Sequence, residues 1–389
     1  MTVLFLADIH PKSHNLKWIL HLTKKYHLKS YVVCTTHQMT KASQAHLDFL
    51  SNHHVSVLPP VHDYSTVALF QTLRDGSRIK RILREYDIEI IHVMYAEPNA
   101  LWGLWKRYFK KPMLLTTRGT DILYTIPAFF GRKDLLSRII QWEYRKSLGS
   151  FSAITSTSKS QIESVRNIAT PSAIHLVRTG IDDTSIATAR LDMKQQLNIT
   201  KEIILMPRSM LPIYNHEFTL EAIALLNEQY LNKYTFVFVN SDTSDQQYFQ
   251  KIQSKAATIE ADIRFYSAFK PVEIYSLFKQ SSLVVMNPIS DGSAVSAMEA
   301  MASKSPVILP PLAYDEDIFG GYVFQLKEWK SDELMNLIVS ILNMSPDKKE
   351  KWLQDAQNHI LSDFTTSSQM AKVYSIYSNL IENKRHVND

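Results

Sequence analysis

The sequence predicts an α/β fold of two Rossmann-like domains, each built on a parallel sheet. Three observations carry this expectation. Short apolar runs alternate with amphipathic helical patterns along both halves of the chain, the pattern of strands joined by crossover helices and covered on both faces. With 389 residues there is room for two domains of ordinary size. Charge also divides the chain: residues 1–187 carry 24 Lys and Arg against 14 Asp and Glu, whereas residues 188–389 carry 19 against 24.

Taken in order, "TVLFLAD" reads as a first strand and "NLKWILHLTKKY" as an amphipathic helix. "KSYVVCTT" and "VSVLP" are the next strands, followed by the helix "STVALFQTLRDGSRIKRILREY". The strand "IEIIHVMY", the helix "PNALWGLWKRYFK" and the strand "PMLLTTRG" come next, and "SAITSTS" and "IHLVRTG" extend the sheet. The segment 178–198 is the connection between halves. In the second half "EIILMPRS" is a strand and "HEFTLEAIALLNEQYL" a helix. "YTFVFVN", "IRFYSAF" and "SLVVMNP" are strands that alternate with the helices "DQQYFQKIQSKA", "PVEIYSLFKQ" and "VSAMEAMA". "PVILPP", "YVFQL" and a helical C-terminus close the chain. Ligands in such sheets bind at the carboxyl ends of strands, so two halves of this kind imply a cleft between them.

Composition excludes several classes. With 45% apolar and 21% charged residues the chain reads as globular and soluble. No apolar run is long enough to span a bilayer, and "VLFLA" is too short and lacks the basic flank of a signal peptide. The single Cys34 permits no internal disulfide and fits a reducing compartment, so a cytoplasmic location is expected. No G-x-G-x-x-G follows the first strand and no Walker-type lysine loop is present, which disfavours a dehydrogenase and a P-loop enzyme. His53 and His54 lack the spacing of a helical metal pair, and neither a metal site nor a cofactor is expected.

The most informative stretch is "SDGSAVSAMEAMASKSPVILPP", residues 290–311. With the strand "SLVVMNP" before it, it reads as strand, loop and helix, with Asp291 in the loop and Glu299 roughly two turns inside the helix. Small residues Gly292, Ser293 and Ala294 let a phosphate approach the backbone, and a helix start favours an anion there. Eight residues at 1.5 Å each set the carboxylates about 12 Å apart along the axis, a span suited to a nucleotide-sugar. The plainer alternative is a helix cap at Asp291 and a surface acid at Glu299.

"DGSAVSAMEAMASKSPVI" resembles the E-x7-E signature of the retaining glycosyltransferases of family 4, which have the GT-B fold, with Asp291 in place of the first acid and Glu299 at the second. Four further segments resemble the same family in order: "TTRGTDIL" (116–123), "AITSTSKSQIESV" (153–165), "VRTGID" (177–182) and "ILMPRSMLPIYNHEFTLEA" (204–222). The resemblance implies that Asp291 contacts sugar hydroxyls, Glu299 the ribose, and Arg208 the donor diphosphate. The lysine that usually follows that arginine falls here on Tyr214 or Asn215, which leaves more of the phosphate to Arg208 and the backbone near Gly292. Arg118 stands where the family has His; it cannot act as a base but can neutralise phosphate charge. Asp121 matches the family's acid and either orients acceptor or sugar or caps its loop. The resemblance further implies transfer with retention, with a donor phosphate oxygen taking the acceptor proton, and no metal.

The resemblance also names the domains: an acceptor-binding domain at 1–187, a donor-binding domain at 188–355, and a helical segment at 356–389 that crosses back to the first. The basic first half points to an anionic partner. In "LWGLWKRYFKK", Trp102, Trp105 and Phe109 share one helical stripe beside Lys106, Arg107, Lys110 and, at its end, Lys111. Either the rings pack on the sheet, or the segment meets an anionic membrane or the acceptor. "FFGRKDLLSRIIQWEYRK" (129–146) would widen that surface. The expected enzyme moves a sugar from a nucleotide-sugar to a glycan or lipid-linked acceptor in bacterial surface glycan assembly, peripheral at the inner face of the plasma membrane. The alternatives are a GT-B nucleotide-sugar epimerase and a non-catalytic GT-B partner subunit. A nucleic-acid partner would explain the basic half but not the acid pair.

Overall fold

The structure, a computed structural model, describes residues 1–11, 13–241, 244–291 and 294–388. The chain divides into two compact units, Met1–Thr179 with Thr366–Asp389, and Gly180–Thr365. The division falls at 179/180, a few residues before the sequence-based boundary at 187/188. The chain re-enters the first unit at Thr366 rather than at 356.

The first unit holds seven strands among the described residues: β1 (Thr2–Leu6), β2 (Lys29–Val33), β3 (Val55–Val57), β4 (Ile90–Met94), β5 (Met113–Thr117), β6 (Ala153–Ser156) and β7 (Ile174–Leu176). They pair in parallel in the order β3-β2-β1-β4-β5-β6-β7. Successive side chains of a strand point to opposite faces, and β1 uses both. Val3 and Phe5 pack with Leu16, Trp18 and Ile19 of the helix His14–Tyr26, and with Met370, Val373 and Tyr377 of the C-terminal helix Thr366–Asn388. Leu4 and Leu6 pack with Ile79 and Ile82 of the helix Leu69–Glu85 and with Trp102. A continuous apolar run buried on both faces is what a central parallel strand requires.

The second unit repeats the plan with β8 (Glu202–Met206), β9 (Tyr234–Asn240), β10 (Asp262–Ser267), β11 (Ser281–Val285), β12 (Val307–Leu309) and β13 (Phe324–Gln325). Their order is β10-β9-β8-β11-β12-β13, again parallel. Ile203 and Leu205 face a core with Ala297 and Met301 of the helix Val295–Ala302; Ile204 and Met206 face one with Leu220, Ile223 and Leu334. The helix Pro346–Asp363 adds Ala356 and Ile360 to the first of these cores. The expected single helix "HEFTLEAIALLNEQYL" is two, His216–Ala224 and Glu228–Lys233, because Asn227 adopts an extended backbone just before the second.

Segment 99–111 corrects the sequence reading. It forms a 3₁₀ helix, Asn99–Trp105, and a single α turn, Lys106–Phe109. Three residues per turn place side chains differently from an α helix. Trp102 is 2% exposed and Phe109 is buried. The Trp105 ring lies so close to Gly76 that a Cβ there would collide with it. Trp102 is thus a core residue, and Trp105 packs partly buried against the same core. Arg107 and Lys110 are exposed, while Lys106 and Lys111 are only partly so.

A polar strut ties the C-terminal helix to the first sheet. His92 on β4 is fully buried, with Nε2 2.6 Å from Thr116 Oγ1 and Nδ1 against the Tyr377 hydroxyl. Burial, with Arg118 adding a smaller push, depresses its pKa from an ordinary 6.5 to about 3. The unfolded chain therefore binds this proton below pH 6.5 while the folded chain does not, so stability falls with pH between 6.5 and 3. One such histidine costs about 2 kcal/mol between pH 7 and pH 5. Urea unfolding across this range should show that loss in the wild type. His92→Gln, less stable at pH 7, should show a shallower slope; an unchanged slope would assign the loss to other groups.

Candidate active site

In an open parallel sheet the loops after two strands diverge where the chain reverses its direction of progress across the sheet, and a crevice opens there. In the second unit this point lies between β8 and β11. Arg208 follows β8 by two residues, and Asp291 closes the loop after β11. Arg208 Nη1 is 3.6 Å from Asp291 Oδ2, and both side chains are mostly buried. The guanidinium also lies over the Tyr214 ring, 4.3 Å from its centroid. Asn215 adopts a left-handed backbone, φ 48°, at the start of the helix His216–Ala224. Beneath the loop, His216 Nε2 is 2.9 Å from the Ser209 carbonyl oxygen, and the Ile289 N–H donates to the Ile213 carbonyl at 2.9 Å. The two loops that carry Arg208 and Asp291 are thus tied together by backbone.

Asp291 Oδ1 accepts the Ala294 N–H at 3.2 Å. Ala294 is buried and left-handed, φ 39°, and precedes the helix Val295–Ala302 without a side-chain cap. Glu299 lies on this helix, partly exposed, and accepts the Tyr275 hydroxyl at 3.1 Å. Burial first, and the Glu299 charge second, push the Tyr275 pKa well up, so this hydroxyl remains a donor to the carboxylate. The Tyr314 hydroxyl is buried with no hydrogen-bond partner; burial raises its pKa, Asp291 adds to the rise, and Arg208 opposes it. Gly292 and Ser293 lie outside the described residues.

The first unit has its own crevice at β1/β4. Asp121 there is fully buried. Its carboxylate accepts four backbone N–H groups, from Ala96 at 2.6 Å, Gly119 at 2.8 Å, Ile122 at 2.9 Å and Arg118 at 3.1 Å. Gly119, at φ +134°, provides the backbone turn that lets these groups converge. Asp121 therefore pins the loop after β5 to the loop after β4, and its hydrogen-bonding capacity goes to backbone. Arg118 is held differently. Its Nε donates to Asn15 Oδ1 at 2.7 Å, and Asn15 Nδ2 donates to Asp8 Oδ2 at 2.7 Å. Its guanidinium stacks on Trp18, 3.9 Å from a ring centroid. Nη1 and Nη2 are buried without partners. Burial lowers the pKa to about 10, with Asp121 and Asp8 opposing the fall, so Arg118 stays charged at neutral pH.

The structure thus brings Arg208, Asp291, Ala294 and Glu299 to one end of the second sheet, and Arg118 and Asp121 to one end of the first. Asp8, Asn15, Trp18, Tyr275 and Tyr314 were not foreseen. Their partners are remote in sequence, and no local motif marks them. Among the described residues no group of three His, Cys, Asp or Glu could hold a metal, and no helix is long and apolar enough to cross a membrane.

Comparison with known proteins bears on this arrangement. The family model described as Glycosyltransferase Family 4 matches residues 21–185, and that described as Glycosyl transferases group 1 matches residues 189–359. No curated protein matches the sequence. A glycosyltransferase structure from Rickettsia africae is 15% identical over 98% of this chain and 99% of its own, with a TM-score of 0.80. HepE of Anabaena, solved with UDP and glucose, is 16% identical over 97% of this chain and 100% of its own, with a TM-score of 0.72. Sucrose-phosphate synthase of Thermosynechococcus elongatus is 13% identical over 98% of this chain and 100% of its own, also at 0.72. The two family models follow one another along most of the sequence, one on each unit, and the folds agree over the whole chain: this protein belongs to the group 1 glycosyl transferases of family 4 and has the GT-B fold.

Proposed function

We propose that this glycosyltransferase moves a sugar from a nucleotide-sugar to a glycan or lipid-linked acceptor with retention of configuration, in bacterial surface glycan assembly at the cytoplasmic face of the membrane. The observation that carries the reading is the Arg208–Asp291 pair at the β8/β11 crevice, with Glu299 one helix segment away. Arg208, over the Tyr214 ring, offers N–H groups to the leaving diphosphate. Asp291 accepts from sugar hydroxyls, and Glu299, oriented by Tyr275, accepts from the ribose. Charge developing on the leaving phosphate is met by a donor already in place, which is where such sites gain most of their rate. The acceptor hydroxyl attacks from the face the diphosphate leaves, and its proton passes to a diphosphate oxygen, so no side-chain base and no metal is required. HepE, solved with UDP, supports a nucleotide diphosphate as part of the donor.

In the first unit Arg118 supplies the acceptor side. Its two unpartnered nitrogens form a charged fork, a shape that suits a phosphate or carboxylate oxygen pair. Asp121 acts as a positioning residue, because its oxygens are taken by backbone. The replacement of the family His by Arg118, and of the Lys by Tyr214 or Asn215, favours a second reading, a non-catalytic subunit. A nucleotide-sugar epimerase is a third. Incubation with a panel of nucleotide-sugars separates them: a transferase releases nucleotide diphosphate, an epimerase interconverts sugars without release, and a subunit does neither.

Two substitutions test the donor site. Glu299→Ala removes charge-assisted hydrogen bonds of about 1.5–3 kcal/mol and should weaken nucleotide diphosphate binding roughly 10- to 150-fold by calorimetry; unchanged affinity in a folded variant removes Glu299 from the site. Arg208→Ala should lower turnover on the order of 100-fold, as loss of one preorganised donor does elsewhere. Near-normal turnover would mean that another cation supports the leaving group.

A further inference from the structure

The helix Leu135–Ser150 carries apolar side chains on its outer side as well as its inner one. It buries Ser137, Ser147, Tyr144 and Leu148. Outside it carries Leu135, 75% exposed, and Trp142, 56% exposed, with Ile139 between them. Spacing of four and three residues sets these side chains on one stripe, and the exposed Arg138 and Arg145 border it. A second apolar group stands beside the first. The Thr66 hydroxyl donates to Glu143, the residue after Trp142, and the chain then presents Val67, 76% exposed, and Phe70, 84% exposed. Single exposed apolar side chains are ordinary; a cluster on two adjoining elements marks a docking surface.

Charge says what docks. Arg132, Lys133 and Arg138 surround the stripe and are exposed, and Arg74 lies one turn beyond Phe70. The acids nearby keep their charge, but with Arg145 and Lys146 also exposed the cations outnumber them. Asp134 accepts from the Ser137 N–H at 2.9 Å and hydroxyl at 2.6 Å, and Glu143 from Thr66. Leu, Ile, Phe and Trp tips within a ring of Arg and Lys are the make-up of an interfacial helix, with aromatic rings at headgroup depth and cations against phosphates. We propose that this face, helix 135–150 with the turn 66–70, seats the first unit on an anionic lipid bilayer. The inference rests on the membrane location proposed above and names the surface that meets it; it stands apart from the reaction of the second unit. It also places the membrane surface outside segment 101–111, where Trp102 is buried and Trp105 is partly buried against the core.

Sedimentation with vesicles tests it. At low salt the full chain should bind phosphatidylglycerol-containing vesicles and bind pure phosphatidylcholine only weakly. Val67→Ser, Phe70→Ser and Trp142→Ser combined should reduce binding to both by roughly tenfold or more. Arg132→Ser, Lys133→Ser and Arg138→Ser combined should reduce binding to the anionic vesicles on the order of 100-fold, from about 1 kcal/mol per cation. All six side chains are exposed, so circular dichroism and nucleotide binding should not change. The proposal is overturned if the wild type ignores anionic vesicles, or if both variants bind as the wild type does. It also fails if only the change of Lys106, Arg107, Lys110 and Lys111 to Ser abolishes binding. Sedimentation velocity showing a wild-type dimer that the apolar variant dissolves would instead make the face an interface between copies.

Discussion

A parallel strand buried on both faces has no place for a charged side chain except beyond its end. Both sheets obey this constraint, and the chemistry follows from it. Leu4, Phe5, Ile204 and Leu205 each occupy one face or the other of a central strand. The charged groups Asp8, Arg118, Arg208 and Asp291 all come after a strand has finished. The crevices at β1/β4 and β8/β11 are then the points at which loops part and charges can gather.

Charges so placed must be satisfied, and the two crevices differ in how. Arg208 has Asp291 and the Tyr214 face; the pair is loose at 3.6 Å, so an incoming oxyanion can compete for it. Asp121 is closed, with four backbone donors around one carboxylate. Burying an ionised group at that depth is tolerable because each oxygen is hydrogen-bonded. Arg118 is the intermediate case, fixed at Nε and on one face but unpartnered at its fork. A buried charged donor without a partner is costly, which makes it the residue whose environment most resembles an incomplete site.

Much of this was legible in the sequence. The alternating runs gave the two parallel sheets, since a strand such as "TVLFL" can be buried only between two layers, and the E-x7-E-like stretch marked Asp291 and Glu299. What escaped was non-local. Whether Asp121 caps a loop or faces a substrate depends on the Ala96 N–H, twenty-five residues away. Tyr275 meets Glu299 only because two helices pack side by side. In segment 101–111 the reading in which the rings pack on the sheet is the one the structure shows, although the chain there winds as 3₁₀ and not with the 3.6 residues per turn of the helical wheel. The segment 129–146 was marked as part of a basic-aromatic surface, but the pattern did not show which of its apolar side chains face outward.

The C-terminal helix belongs to the first unit although it follows the whole of the second. Met370, Val373 and Tyr377 form part of the wall over Val3 and Phe5, and the Tyr377 hydroxyl is a partner of His92. Synthesis runs from N- to C-terminus, and domains tend to fold as they emerge. The second unit, continuous from Gly180 to Thr365, can close while still tethered to the ribosome. The first cannot close until the final helix is released, so the half of the protein made first is the half completed last, and a chain cut short near its end would leave that core open to solvent.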